Sequence, residues 1–231
     1  MNESEFNIIK ILVFAFYIFS FLFSFRVARL REIPKYMKRF LLYLFIGGLM
    51  AAIYLTTIFF EAKHNMAFFN RVNLISLFFH FVFLSLFIIK IISDHNGGGF
   101  RIMYILLLGL SMGLLTAILN DFCYNTSAVS FCLSSFLLVL FCLFYYYNIF
   151  HNSPTIMLLE EPSFWIITGI FIGMTLSFPM IIFWDFLDLS LKKPTKRLIQ
   201  SFANIPYIIM HIFFIKAYLC LLNKPKKLSY L

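Results

Sequence analysis

From Val72 to Ile89 the chain reads VNLISLFFHFVFLSLFII, without a single Asp, Glu, Lys or Arg. An uncharged apolar stretch of about 18 residues or more is long enough to cross the hydrocarbon of a bilayer as a helix. Lipid offers the backbone no hydrogen-bond partner, so the stretch must satisfy its own peptide groups, and a helix does that. Within it Asn73, Ser76 and His80 recur at spacings of three and four, which sets them on one face. A polar stripe of this kind faces protein rather than lipid, where its groups would find no partners. The segment therefore decides two matters: the solvent is a membrane, and this helix has neighbours on its polar side.

Six further apolar runs flank it: Asn7–Phe25, Phe40–Phe60, Ile102–Leu119, Ala128–Ile149, Ser163–Trp184 and Leu198–Leu222. The whole chain agrees. Of 231 residues, 62% are hydrophobic and only 13% are charged, whereas a soluble domain carries about a quarter charged residues. A mean hydropathy of +0.91 leaves no polar surface for a water-soluble globule. The runs are too long for barrel strands, which alternate over about ten residues. The expected fold is all-α: a polytopic membrane protein, with residues 1–231 forming a single seven-transmembrane-helix bundle. Its spans fall at approximately 7–25, 40–60, 72–89, 102–119, 128–149, 163–184 and 198–222. These spans leave only short loops and tails, so this sequence has no room for a soluble catalytic or nucleic-acid-binding domain.

The net charge is +9, and the basic residues gather at the ends of the apolar runs. Arg26, Arg29, Arg31, Lys35, Lys38 and Arg39 follow the first run, whereas the leading residues are acidic. That order does not fit a cleavable signal peptide. Positive charge stays cytoplasmic, so the amino terminus is expected outside and the tail with Lys224, Lys226 and Lys227 inside. Lys192, Lys193, Lys196 and Arg197 in the sixth loop run against that orientation. Trp165 and Trp184 stand about 28 Å apart along a helix, the spacing of two interfacial anchors. Tyr145, Tyr146 and Tyr147 read as another interfacial belt. Pro179 and Pro206 fall inside their runs, where each removes a helix hydrogen bond and is expected to bend its span.

Ionisable groups deep in a membrane are the natural candidates for function. They are His80 in the third run, and His211 and Lys216 in the seventh. Gln200, Asn204, Tyr207 and His211 repeat the stripe of the third run, so the two stripes are expected to face each other. The candidate ligand-binding residues are Asn73, Ser76, His80, Asn204, Tyr207 and His211, lining a pocket or a proton-sensitive switch. The plainer reading is interhelical hydrogen bonding that fixes packing, worth on average about 0.6 kcal/mol per bond.

Other constellations fall away on their residues. A retinal-type Lys216 lacks a carboxylate on the third run, and its stem is placed to snorkel to the interface. Asn204-Ile205-Pro206-Tyr207 does not have NPxxY spacing, and no Asp-Arg-Tyr ends the third run. Neither GxGD nor GxSG occurs, so the intramembrane hydrolases find no support. Glu160 and Glu161 precede Pro162, where carboxylates suit a helix N-terminus. Asp121, Asp185 and Asp188 read as solvated helix ends. Gly97-Gly98-Gly99 lacks the Lys-Ser/Thr of a phosphate cradle. The four cysteines lack metal spacing, and a Cys123–Cys132 bridge is the alternative to plain packing. No catalytic residue, metal or cofactor is expected.

Several segments resemble a family of small, uncharacterised seven-transmembrane-helix integral membrane proteins of Bacteroidota. They are Pro34-Lys35-Tyr36-Met37-Lys38, Phe69-Asn70, the Tyr-rich end of the fifth run, and Ser201-Phe202-Ala203-Asn204-Ile205. The most specific is Glu161-Pro162-Ser163-Phe164-Trp165-Ile166-Ile167-Thr168-Gly169. The resemblance covers most of the chain and implies a seven-helix bundle in a bacterial inner (cytoplasmic) membrane. It brings no established reaction. Members often carry a glutamate where this chain has His80 and another near Ser134, and a Tyr and an Asn where Gly173 and Ser177 stand. Some accompany sensor histidine kinases, which implies a sensor kinase or other membrane signalling protein as partner, beside the lipid bilayer. The expected function is a receptor-like or accessory component of membrane signalling, with no enzymatic activity of its own. The alternatives are a small transporter or channel for an apolar or weakly polar solute and, less favoured, an intramembrane enzyme.

Overall fold

The computed structural model describes residues 3–30, 33–61, 66–95, 101–124, 128–152, 158–188 and 204–223. Among them stand seven α-helices: α1 (Glu3–Leu30), α2 (Lys35–Glu61), α3 (Met66–His95), α4 (Arg101–Tyr124), α5 (Ala128–Asn152), α6 (Pro162–Asp188) and α7 (Ile205–Asn223). A short 3-10 turn, Leu158–Glu160, precedes α6. All seven helices are long and apolar enough to cross a membrane. The protein is an all-α, multi-pass integral membrane protein.

The first six helices outrun their apolar cores because the ends carry on into charged sequence. The expected basic first loop is mostly helix: Arg26 and Arg29 lie in α1, while Lys35, Lys38 and Arg39 open α2. All five are exposed, and the Arg29 guanidinium sits 4.8 Å from the centre of the Phe25 ring. Pro34 starts α2 without interrupting it, since its carbonyl accepts from the Met37 and Lys38 amides. Pro162 occupies the first position of α6, where a missing N–H costs nothing.

One proline expectation is corrected. Pro206 is the second residue of α7, not an interior one, so its absent N–H belongs to the first turn, which has no intrahelical acceptor. Pro179 does lie inside α6. The segment 198–203 lies outside the described residues, as does Gln200.

Six helices close into a ring in the order α1, α2, α3, α5, α6, α7 and back to α1, while α4 packs outside against α3 and α5. The outward position of α4 follows from its surface. Ile105, Leu106, Leu108 and Met112 are all exposed, and a side chain added at Gly109 or Gly113 would meet nothing within 4 Å. On α6, by contrast, Gly169 and Gly173 lie one turn apart, tight against Phe213 and Met210 of α7. Small residues at this spacing let two membrane helices approach closely.

Neighbouring ring contacts give the directions. Tyr17 meets Gly47 and Phe21 meets Phe45, Tyr43 meets His80 and Phe40 meets Phe87, and Phe136 meets Phe178 and Tyr146 meets Thr168, so each of those helix pairs is antiparallel. Ser20 meets His211 across the parallel pair α1 and α7. The half of the bundle far from the start of α1 is solidly packed. Met37, Phe40, Leu84, Ile88, Phe214 and Tyr218 are fully buried there.

Polar groups at the helix ends behave differently from their sequence reading in two places. Asp121 is not solvated: it is buried, and its Oδ2 accepts from the Ser130 amide at 2.8 Å, capping α5. The last turn of α4 is folded over the start of α5, which hides a carboxylate that hydropathy alone places in water. The side chains of Asp185 and Asp188 lie outside the described residues, and so does that of Cys123. The tyrosine belt is divided. Tyr147 faces outward, while Tyr145 is buried and Tyr146 turns its hydroxyl to Thr168 Oγ1 at 2.9 Å. Lys216 is exposed and places its ammonium 5.5 Å from the Trp165 ring, whose Nε1–H donates to the Leu159 carbonyl. That is the snorkelled arrangement of a long cationic stem.

Candidate functional site

The helical stripe on α3 puts Asn73, Ser76 and His80 on the wall of one interior cavity of about 200 Å³. The cavity lies between mid-depth and the face where α1 begins. All six ring helices contribute to it, and α4 does not. From α7 and the residue before it come Asn204, Tyr207 and Met210, so the two polar stripes do share one space. His211 is not on that wall. It sits one layer deeper, fully buried between α1 and α7.

The two histidines are each held by a tyrosine. His80 Nδ1 lies 2.9 Å from the Tyr43 hydroxyl, with the rings edge to face. This leaves Nε2 as the ring nitrogen available to the cavity. His211 packs its ring 3.9 Å from that of Tyr17, which itself lines the cavity. His211 Nδ1 is 2.9 Å from Ser20 Oγ, and that hydroxyl donates its proton to the Tyr17 carbonyl at 2.9 Å. Serine has one proton to give, so Nδ1–H is the donor to Ser20 and Nε2 carries the lone pair. Among the described residues that Nε2 has no hydrogen-bond partner.

Gly47 packs closely where α1, α2 and α3 meet. A Cβ there would stand 3.2 Å from the Tyr17 ring and 3.5 Å from the His80 ring. Beneath the cavity, aromatic contacts run across the bundle: Tyr17 to His211, His211 to Phe214 at 5.3 Å, Phe214 to Phe40 at 4.8 Å and Phe40 to Phe87 at 5.0 Å. This layer underlies the cavity on the α1, α2, α3 and α7 side.

The wall is neutral. Among the described residues no Asp, Glu, Lys or Arg lines the cavity. Nor do any three of His, Cys, Asp and Glu come together as metal ligands. What the wall offers is hydrogen bonding on one side and soft apolar surface on the other, from Met50, Met174, Met210 and aromatic rings.

A second polar cluster closes the opposite end of the bundle. Glu161 Oε1 accepts from the Tyr36 hydroxyl at 2.8 Å and from Ser163 Oγ at 3.3 Å, and Ser163 Oγ lies 3.4 Å from the Tyr145 hydroxyl. The Tyr218 hydroxyl donates to the Met37 carbonyl at 3.1 Å. The segments around Pro34, Tyr145 and Glu161, read separately along the chain, thus meet in one place. Tyr36→Phe removes the bond that ties α2 to the head of α6. We expect a loss of about 1.5 kcal/mol, the value of a hydrogen bond to a charged group, measured as a lower thermal midpoint in detergent.

Comparison of the chain with protein-family models, with curated proteins and with solved structures finds no match. The site therefore has to be read from its own geometry. Tyr17, Ser20 and Tyr43 are the functional candidates that sequence reading missed. A signal existed for two of them, because Tyr17, Ser20 and Ser24 form a stripe of the same spacing as the one on α3.

Proposed function

We propose that this protein is a receptor-like or accessory component of membrane signalling that holds a small molecule in its interior cavity. One observation carries the reading: the polar-lined cavity occupies one half of the bundle, and the other half is filled by fully buried side chains. Such a site binds; it does not conduct. The groups around it are hydroxyls, amides and a tyrosine-bonded histidine, which suit recognition, so the protein acts without a catalytic step of its own. In this proposal the amino terminus and the cavity face the outside of a bacterial inner membrane. The exposed basic residues at the end of α1 and the start of α2 then face the cytoplasm. There they meet anionic headgroups and a signalling partner, a sensor kinase or another membrane protein.

The test is to purify the protein in detergent and identify its co-purified small molecules by mass spectrometry, beside a solute-flux assay in liposomes. The proposal expects a stoichiometric small molecule and no flux. Flux that disappears when His211 is replaced by Phe would replace it with the transporter reading. That alternative draws its support from the ring of six helices enclosing polar side chains of α3, Asn73, Ser76 and His80.

A further inference from the structure

Three consecutive groups on the α3 stripe are available to a guest. Asn73 and Ser76 make no hydrogen bond within the described protein, and His80 spends only Nδ1, on Tyr43. Their positions span about 10 Å of helix. An amide, a hydroxyl and an imidazole nitrogen in a row supply both donors and acceptors. Inside a membrane protein such groups are costly unless something pairs with them.

Apart from Ser134, Asn204 and Tyr207, the remaining wall is of another kind. Met50, Met174 and Met210, with Phe131 and the tyrosines, make a polarizable surface, and thioether sulfurs make favourable contacts with aromatic rings. Among the described residues no Asp, Glu, Lys or Arg lines the space. An ionised guest would lose its hydration and find no counter-charge.

Volume narrows the class further. The cavity measures about 200 Å³. An apolar cavity of about 150 Å³ accommodates benzene, and sites for drug-sized ligands begin at about 300 Å³. One ring with its substituents fills a space of that size.

We infer that the cavity takes an uncharged, single-ring aromatic compound with a hydrogen-bonding edge, of the phenol class. The ring lies against the methionine and aromatic wall, and its polar edge meets Ser76 and His80 Nε2. This inference rests on the proposed binding function and names the ligand chemistry of that site.

Fluorine NMR on the purified full-length protein in detergent tests it with three probes of one shape. Para-fluorophenol is expected to give a bound resonance that excess phenol displaces. Para-fluorotoluene, without the hydrogen-bonding edge, binds more weakly, and para-fluorobenzoate does not bind. The phenol affinity falls about tenfold in His80→Phe, the equivalent of one good hydrogen bond lost. It vanishes in Ala51→Leu, whose added volume fills the cavity. Thermal midpoints of both variants separate a lost site from a lost fold, and Ser76→Ala is the substitute if His80→Phe does not fold. Toluene binding as tightly as phenol, or binding of the benzoate, overturns the ligand class while leaving a binding cavity. No bound resonance from any probe, or one unchanged in Ala51→Leu, overturns the phenol-class assignment of this cavity, whereas the binding function itself falls only if no small molecule co-purifies.

Discussion

Replacing Gly169 by Ala is expected to cost about 2–3 kcal/mol, the upper part of the range for overpacking a tight interior. The new Cβ would stand 2.7 Å from Phe213 Cβ and 3.1 Å from the Met210 carbonyl oxygen. Neither neighbour can swing away, since one is the root of a side chain and the other is backbone. The α6–α7 pair must separate, and this pair forms the side of the ring that presents Met174, Met210 and Tyr207 to the cavity. Thermal unfolding in detergent measures the cost. Gly109→Ala on α4 is the control, because its Cβ would meet nothing within 4 Å. There the substitution only removes glycine's helix penalty, a gain of up to about 1 kcal/mol. Opposite signs at the two glycines are the expected result, and equal effects would refute the close contact of α6 with α7.

Asp121→Ala is expected to lose about 2 kcal/mol, because it takes away a helix cap and leaves a buried amide without its acceptor. The carboxylate is 1% exposed and holds the Ser130 amide at 2.8 Å. Asp121→Asn keeps an acceptor oxygen in place and should recover most of the loss. The consequence reaches the site through α5, which carries Phe131, Ser134 and Leu138 on the cavity wall. An alanine variant as stable as the parent would show that α5 does not need this cap.

Hydropathy and helical spacing are local properties, and what depends on them could be read from the chain. His80 needs only its own helix to share a face with Asn73 and Ser76, and the structure puts all three on one wall. Asp121 and Pro206 were misread for a common reason. The burial of one and the harmless position of the other depend on where a neighbouring helix begins and on where α7 itself starts, and hydropathy reports neither.

Seven membrane helices, the polar faces of α3 and α7, and the concentration of positive charge where α1 gives way to α2 all follow from residue order alone. Tertiary structure alone decided that α4 stands outside the ring and that His80 pairs with Tyr43. It also decided that His211 turns to Ser20 while its own stripe continues into the cavity. The physical reason is range. A helix is specified by residues a few positions apart, whereas His211 and Ser20 are separated by 191 residues. Their meeting depends on how each helix rotates about its axis when all the others pack.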